Sequence, residues 1–444
     1  MVKVRPKPNI RMFGSHYFTT QRIGFQADRP NPLQARFMAT ARPTDRHTTL
    51  PEPDPAASAH SARLLERIRT EIATCGGAIS FARFMELALY APDLGYYRAG
   101  TRKFGPGGDF VTAPELSALF SRCLARQCRE ILDTIGGGAL LELGAGSGIM
   151  AADLLGALRA ADALPDHYAI LEISGELRER QRQTLAERAP DLLGRVRWLD
   201  ALPDPGFRGV ILGNEVVDAL PVERFRITAN GPRRLMVTWT ETDPSTGLAN
   251  GLAWAEGPED PAVTDAVARI ETACGRPLPE GYTSEYVPRL ADWVRAITEP
   301  LAAGALLLVD YGYPRRDYYH PERADGTLLC HYRHRVHADP LLLPGLQDIT
   351  ASVDFTAVAE AGRALGLALA GYTNQNYFLF GCGLLDLLAE VDPADLVRYL
   401  EQARQVKVLT LPGEMGERCK AIALTRGMAA SLCGFSVRDE RHRL

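Results

Sequence analysis

The sequence lacks the features that would place it in a membrane, on nucleic acid or in an oxidising compartment. No apolar run in its 444 residues approaches the roughly 18 to 20 residues that a helix needs to cross a bilayer. Its 50 basic and 54 acidic residues nearly balance, which gives no reason to expect a nucleic-acid partner or an anionic membrane surface. The eight cysteines form no Cys-x-x-Cys pair and no zinc spacing, so we expect buried thiols and no metal. We therefore expect a soluble intracellular protein.

A glycine-rich turn between an apolar run and a helical pattern is the most informative stretch of the chain. The run is Leu140 to Leu143, the turn contains Gly144, Ala145, Gly146 and Gly148, and the helical pattern covers Ala151 to Ala161. This order predicts a buried parallel strand, a tight turn and a helix, the first βα unit of a doubly wound sheet. Ligands of such sheets bind at the carboxyl ends of the strands, where this turn lies.

The residues of the turn also limit the ligand. No lysine follows Gly148, which excludes a P-loop, and the glycine spacing differs from the dinucleotide fingerprint. Glu142, two residues before the first glycine, would repel a phosphate. A cationic, phosphate-free ligand such as S-adenosylmethionine fits better, and Glu-x-Gly-x-Gly-x-Gly resembles the first motif of the class I methyltransferases. The alternative is a purely structural turn.

Further cofactor contacts are expected where the next strands end. Glu172 lies near the end of an apolar strand over Tyr168 to Ile173, where an acid commonly binds a ribose diol. Asp200 follows a third strand and is placed for an adenine or amide contact, although it also begins a proline-rich turn. We include Ile173 and Asn214, which follows a fourth strand, in the predicted cofactor site.

Two acids after the fourth strand are the predicted catalytic residues. Glu215 and Asp218 are three residues apart and can point into one cavity. Carboxylates suit a cationic, planar group such as a guanidinium, which stays charged because its pKa lies above about 12 and which they bind in a bidentate manner. The alternative for Asp218 is a residue that caps the start of a helix.

A longer set of motifs makes the resemblance specific. The stretch from Gly108 to Glu115, read with the Glu142–Gly148 motif, resembles the MidA family of methyltransferases. Matches continue in family order over about residues 61 to 427, for example at Gly213–Val222, Leu308–Gly312 and Met415–Arg418. The resemblance implies S-adenosylmethionine as cofactor and an arginine of a partner protein as substrate. Eukaryotic members are mitochondrial and linked to assembly of respiratory complex I, which suggests a complex I subunit.

The remaining candidates form the predicted substrate wall. From the glycine-rich loop and the helix start behind it these are Asp109, Thr112, Pro114 and Glu115, and from the end of a later strand Asp310 and Tyr311. Three histidines between His331 and His337 invite a zinc interpretation. Their spacing matches no familiar site, and the arginines between them would repel a cation, so we expect a polar substrate-facing loop.

We predict a doubly wound, Rossmann-like α/β fold with the seven-stranded sheet of class I methyltransferases. Residues 1–60 would be a basic disordered leader, 61–135 a helical cover, 136–427 the methyltransferase domain with insertions at 226–290 and 313–350, and 428–444 a tail. The leader is alternatively a mitochondrial transit peptide or sequence upstream of a start at Met38. We expect the cytoplasm for a bacterial protein and otherwise the mitochondrial matrix; the oligomeric state stays open.

Two rival functions stay open at this stage. One is a methyltransferase with a small-molecule or different protein substrate, which would need no acidic pair at Glu215 and Asp218. The other is an assembly factor that keeps the fold without catalysis, against which the predicted cofactor and catalytic acids are all present.

Overall fold

The computed structural model describes residues 50–98, 111–240, 251–392, 394–429 and 431–444. Most of the predicted leader and the loop that contains Asp109 therefore lie outside the described residues. Within the described ranges, no helix combines the length and the apolar character needed to cross a membrane.

Strands and helices alternate along most of the described chain. The strands are β1 (Ala78–Ser80), β2 (Ala139–Leu143), β3 (Tyr168–Leu171), β4 (Val196–Leu199), β5 (Phe207–Asn214), β6 (Glu223–Thr228), β7 (Gly231–Trp239), β8 (Leu252–Glu256), β9 (Thr283–Tyr286), β10 (Leu301–Tyr313), β11 (Leu329–Tyr332), β12 (Arg335–His337), β13 (Asp348–Thr350), β14 (Val353–Asp354), β15 (Ala368–Asn374) and β16 (Cys419–Arg426). The helices are α1 (Pro55–Thr74), α2 (Phe81–Tyr90), α3 (Ala113–Leu116), α4 (Ala118–Ile135), α5 (Ile149–Ala160), α6 (Gly175–Arg188), α7 (Pro261–Cys274), α8 (Leu290–Thr298), α9 (Arg315–Tyr318), α10 (Phe355–Ala364), α11 (Gln375–Gly381), α12 (Leu384–Ala389), α13 (Leu396–Thr410) and α14 (Met415–Arg418).

The main sheet has the spatial order β15-β16-β10-β5-β2-β3-β4, and the short β14 pairs with the end of β10. Of the described pairings in this sheet, those of β16 alone are antiparallel. The chain runs outward from β2 to β4 and then returns to β5 on the other side of β2. This reversal creates the crevice beside β2 in which doubly wound folds bind their ligands. The fold class predicted from the sequence is confirmed.

Both faces of this sheet are covered, which explains why its central strands are largely apolar. All five residues of β2 are buried. One core cluster joins one face of the sheet to α4, α5, α11 and α12, and a second joins the opposite face to α8 and α10. The crevice is therefore held between two packed layers.

The N-terminal helices and the insertions share a second core. Leu64 of α1 and Phe84 of α2 pack in one cluster with Val237 of β7 and Ile349 of β13. These last two strands belong to separate small sheets, formed by β1 and β6–β9 and by β11–β13. Residues far apart in sequence thus form one body beside the main sheet.

The apolar pattern over Ile79–Tyr90 predicts a helix with Ser80 as its N-cap. The structure confirms this cap: the hydroxyl of Ser80 accepts the N–H of Arg83 at 3.2 Å, and α2 begins at the next residue. The residues before the helix, Ala78–Ser80, form a strand that pairs with β7.

The sequence also predicts one helix from Pro114 to about Asp133, and this prediction was wrong in one respect. The helix is interrupted at Ser117, whose hydroxyl accepts the N–H of Leu119 and so begins α4 afresh.

The sequence also predicts a helix over Phe355 to Leu365 with Thr350 or Ser352 as its cap. The helix is confirmed as α10, but the predicted cap was wrong. The cap is Asp354, whose carboxylate accepts the N–H of Ala357 at 3.1 Å. Beyond β16, the C-terminal segment packs on the sheet: Phe435 is buried, and the N–H of Glu440 donates to the carbonyl of Tyr372 at 2.7 Å.

Candidate functional site

The glycine turn after β2 depends on conformations that other residues rarely adopt. Gly144, Gly146 and Gly148 have φ of 61°, 53° and 85°. A Cβ on Gly148 would lie 3.0 Å from the Cα of Gln181, so the first turn of α5 also approaches α6 closely. Ala145, between the first two glycines, is buried. The turn therefore exposes backbone at the carboxyl edge of the sheet with little side chain in the way.

Glu142 lies beneath this turn and is buried. The hydroxyl of Tyr168 on β3 donates to its Oε2 at 2.7 Å. Burial raises the pKa of Glu142 to about 7, even though this hydrogen bond favours the charged form. An acid in this state can bind a cation or a hydrogen-bond donor that reaches the edge of the sheet.

Glu172 is held at the end of β3 by a network that includes a residue missed from the sequence. Its Oε1 accepts the N–H of Ser174 at 2.9 Å, and its Oε2 accepts Nε2 of Gln181 at 3.2 Å. Gln181 also donates to the carbonyl of Gly146 at 3.1 Å and accepts Nε1 of Trp198 at 2.9 Å. Gln181 therefore joins the glycine turn, the acid and β4. A glutamine on a mostly polar helix gives no periodic signal for this role.

Ile173 and Asp200 lie on the rim of the crevice. The side chain of Ile173 is 56% exposed, which is unusual for an isoleucine directly after a buried strand. Asp200 is paired with Arg178 at 2.7 Å, and Arg178 also donates to the carbonyls of Glu172 and Leu199. Arg178 thereby fixes the ends of β3 and β4 relative to one another.

The end of β5 carries a second group of polar residues. Glu215 has a φ of 52°, a left-handed conformation that costs free energy in a residue other than glycine. Its N–H donates to the carbonyl of Val309, and its Oε1 accepts Nδ2 of Asn214 at 3.2 Å. Within the described part of the chain, the buried Oδ1 of Asn214 has no hydrogen-bond partner. Strained backbone and an unpaired buried atom are both typical of a ligand site.

Asp310, at the end of β10, holds the turn that carries these residues. Its Oδ2 accepts the N–H groups of Val216, Val217 and Asp218 at 3.1, 2.8 and 3.4 Å. Its Oδ1 accepts the N–H of Tyr311 at 2.8 Å. Both oxygens are therefore used on backbone, although burial still raises the pKa of Asp310 to about 7. The structure places Asp310 at the predicted wall but in a supporting position.

Four carboxylates meet at this point, and their charges destabilise one another. They belong to Glu215, Asp218, Asp310 and Asp348. Burial, and then the charge of Asp310, raise the pKa of Glu215 to about 8. Burial followed by Asp310, Glu215 and Asp348 raises the pKa of Asp218 well above its ordinary value. The sequence analysis missed Asp348, because it enters from β13 in a separate insertion.

The residues before α4 connect the two groups. The backbone N–H of Ala113 bonds to Glu215 and lowers its pKa against the stronger effect of burial. The hydroxyl of Ser147 in the glycine turn donates to the carboxylate of Glu115. Pro114 is buried, and Thr112 precedes α3 without a side-chain capping bond. Tyr311 is partly buried, and the charge of Glu215 is among the causes that raise the pKa of its hydroxyl, burial being the largest.

The histidine segment is a hairpin of β11 and β12. Arg333 and His334 form its tight turn with positive φ, and burial lowers the pKa of His331 to about 4. In the described residues, no group of three or more His, Cys, Asp or Glu side chains is arranged to hold a metal ion.

The strand order, the acid-glycine turn and the acid at the end of β3 define a class I S-adenosyl-L-methionine-dependent methyltransferase. A family model of S-adenosyl-L-methionine-dependent methyltransferases matches residues 123–373, and the chain belongs to this MidA-like family. The protein is an enzyme of the methyltransferase class, and its cofactor is S-adenosyl-L-methionine.

Known proteins similar to this chain are both bacterial and eukaryotic. A protein of this superfamily from Burkholderia thailandensis, crystallised with S-adenosyl-homocysteine, is 46% identical with a TM-score of 0.84 and matches over 89% of this chain and 100% of its own. The mouse mitochondrial protein arginine methyltransferase NDUFAF7 is 29% identical over 403 residues, 84% of this chain and 86% of its own length. The human protein of that name is 28% identical over 383 residues, 78% and 80% of the two chains.

The described residues fit this cofactor. The glycine turn leaves backbone accessible, the carboxylate of Glu172 is fixed at the strand end, and Ile173 offers an exposed apolar surface beside it. An adenosine has the complementary parts, a diol for the acid and a flat ring for the apolar surface.

Proposed function

We propose that the enzyme transfers the methyl group of S-adenosylmethionine to the guanidinium of an arginine in a partner protein. The observation that carries this proposal is the crowding of Glu215, Asp218 and Asp348 around the turn that Asp310 holds. Several buried carboxylates that raise one another's pKa are costly in the empty protein. A cation in their midst would remove much of that cost.

A guanidinium matches the cluster better than most cations. It is planar, stays charged at any physiological pH and presents five N–H donors. Carboxylates on different sides of a cavity can accept these donors in pairs and so fix the plane of the group. Glu215 and Asp218 are the proposed binding pair.

The same two acids have a proposed part in the reaction. The bound cofactor supplies a methyl group already activated by its sulfonium, so the protein mainly needs to position the nucleophile. When a guanidinium nitrogen bonds to the methyl carbon, it must lose one proton. A carboxylate oxygen of Glu215 or Asp218 is proposed to take that proton, and the pKa of Glu215, raised to about 8, suits a general base near neutral pH. Asp310 acts through the turn as a positioning residue.

The proposed cofactor residues are those on the glycine-turn side. Glu142, Gly144, Ala145, Gly146 and Gly148 would bind the amino acid portion, and Glu172, Ile173 and Asp200 the adenosine. Asn214, with its unpaired oxygen, lies where the two proposed ligands would meet. Thr112, Pro114, Glu115 and Tyr311 are proposed to line the substrate entrance; Asp109 lies outside the described residues.

Related proteins support the choice of substrate. The mouse and human relatives are both named protein arginine methyltransferases, and both are mitochondrial. By family resemblance, we propose a respiratory complex I subunit as the partner. The proposed location is the cytoplasm for a bacterial protein and otherwise the mitochondrial matrix.

The proposal is tested with isotopically labelled S-adenosylmethionine and a protein extract from cells that lack this enzyme. After incubation, the extract is hydrolysed, and methylated arginine and lysine are quantified by mass spectrometry. We expect label in methylarginine with the wild type, none with Glu215→Ala, and complex I subunits among the labelled proteins. Label in lysine or in small molecules would contradict the proposal, and cofactor binding without any transfer would favour the assembly-factor alternative.

A further inference from the structure

Two tyrosines of the N-terminal helices lie beside the acidic cluster. Tyr90 ends α2, and Tyr97 follows seven residues later after a turn around Gly95. Their rings are stacked, with centroids 5.6 Å apart and planes at 23°. Both residues are partly buried, and Tyr96 packs edge-on to Tyr97 with ring centroids 5.1 Å apart. Both hydroxyls are used in hydrogen bonds, which fixes the rings against motion.

These hydrogen bonds lead directly to the site. The hydroxyl of Tyr90 donates to the carbonyl of Ala219 at 2.9 Å, next to Asp218. The hydroxyl of Tyr97 donates to Oδ1 of Asp348 at 2.8 Å. Asp348 is only 2% exposed, yet it lies in a small sheet of the insertion rather than in the main sheet. A buried carboxylate bound to a tyrosine at one oxygen is oriented for whatever the site receives.

A backbone contact completes the arrangement. The N–H of Ala351, three residues after Asp348, donates to the carbonyl of Asp218 at 2.9 Å. Burial, and after it the charge of Asp348, raise the pKa values of Tyr90 and Tyr97, and Asp348 also contributes to the raised pKa of Asp218, so these groups lie near one another. Three separate parts of the chain therefore converge on Asp218.

Building on the proposed function, we propose that Tyr90, Tyr97 and Asp348 form the part of the substrate site that selects a planar guanidinium over a compact ammonium. Aromatic faces stack on the flat, weakly hydrated guanidinium, whereas an ammonium keeps its hydration and has no plane to match. Asp348, whose charge acts on both Glu215 and Asp218, is the third carboxylate proposed to accept N–H groups of the guanidinium. We expect a lysine ammonium, which is compact, to donate to one of these carboxylates but not to all three.

The arrangement could instead serve only to hold the helical cover against the insertion. That alternative predicts lower stability in variants but no change in the preference for one cation over another. The experiment therefore measures preference, in the full-length protein saturated with S-adenosyl-homocysteine. The probes are Nα-acetyl-arginine N-methylamide and Nα-acetyl-lysine N-methylamide, titrated separately by calorimetry.

For the wild type we expect the arginine probe to bind at least tenfold more tightly than the lysine probe. Asp348→Asn and Tyr97→Phe should each weaken arginine binding, about tenfold and threefold, with a smaller effect on lysine. Loss of the ring in Tyr97→Ala should bring the two affinities close together. S-adenosyl-homocysteine affinity and unfolding temperature serve as controls, and Asp386→Asn, an exposed acid on α12, is the matched variant.

Two failures are distinguishable. A wild type that does not prefer arginine would contradict the proposed function itself. A wild type that prefers arginine, with Asp348→Asn and all Tyr97 variants keeping the same preference, would overturn this inference and leave the proposed function standing.

Discussion

The two halves of the sheet edge differ in how strongly the charges of their acids act on one another. On the cofactor side, beside β2 and β3, Glu142 accepts a hydrogen bond from Tyr168, and the charge of Glu172 is the smallest of the causes that shift the pKa of Glu142. On the side of β5 and β10, burial and then the charges of Asp310, Glu215 and Asp348 raise the pKa of Asp218, while both oxygens of Asp310 accept backbone N–H groups.

The difference shows what each half is built for. A site whose carboxylates already have donors binds a ligand by adding a few contacts to a fixed frame. Carboxylates that raise one another's pKa would be stabilised by a bound cation. The cost of their proximity is visible in the raised pKa of Glu215, about 8, and the backbone of this residue is strained at a φ of 52°.

The largest expected effect is a loss of kcat/KM from a substitution in the substrate half, with cofactor affinity nearly unchanged. Glu215→Gln keeps the shape of the side chain but removes its charge, so we expect a loss of roughly 10²- to 10³-fold in kcat/KM for an arginine substrate. The affinity for S-adenosylmethionine, measured by calorimetry, should change less than threefold. A large loss of cofactor affinity in this variant would show that the two halves are not separate.

The next largest effect is a loss of cofactor affinity from a substitution in the cofactor half. Glu172→Ala removes the acid proposed to bind the ribose, and the loss of about 2 kcal/mol corresponds to roughly thirtyfold weaker binding of S-adenosylmethionine. At saturating cofactor, KM for the protein substrate should stay the same. Glu176→Ala, at an exposed acid in the first turn of α6, is the control and should bind the cofactor as the wild type does. Equal effects of the two variants would remove Glu172 from the site.

A pH titration sharpens the contrast. Because the pKa of Glu215 is raised to about 8, most of the enzyme carries a protonated Glu215 at neutral pH. Binding of a cation needs the charged form, so kcat/KM for the arginine substrate should rise about tenfold between pH 7 and 9 at saturating cofactor. Glu215→Gln should lose this rise. If kcat/KM instead fell between pH 7 and 9, the reaction would require a protonated group, which would contradict the proposed role of the Glu215 carboxylate.

The smallest effect concerns the glycine turn. Gly148→Ala places a Cβ at positive φ and 3.0 Å from the Cα of Gln181, and should lower the free energy of unfolding by about 1 to 2 kcal/mol and weaken cofactor binding. Gly156→Ala, in the middle of α5 with nothing within 4 Å of the new Cβ, should instead stabilise by ~0.5 to 1 kcal/mol. Thermal unfolding with and without S-adenosyl-homocysteine measures both. Equal destabilisation by the two substitutions would contradict the geometry of the turn.

The sequence predicted the cofactor half more completely than the substrate half. Glu142, the glycines and Glu172 occur at strand ends within about 30 residues of one another, and strand ends are recognisable from apolar periodicity. Gln181 was not predicted as a site residue, because its role depends on how closely α6 approaches Gly148.

Asp348, Tyr90 and Tyr97 could not be predicted in the same way. They come from helices and a small sheet that meet the main sheet only through long-range packing, and no local pattern marks them. The role of Asp310 could not be predicted from the sequence either. An acid at a strand end predicts a contact with a ligand, whereas the structure shows that one oxygen of Asp310 accepts three consecutive backbone N–H groups.

The most direct measurement is a crystal structure of the enzyme with S-adenosyl-homocysteine and Nα-acetyl-arginine N-methylamide. We predict the adenosine against Glu172 and Ile173, and the guanidinium between Glu215, Asp218 and Asp348 with its plane against Tyr97. An arginine side chain bound elsewhere, with the acidic cluster empty or filled by the cofactor, would contradict the division of the sheet edge into a cofactor half and a cation half.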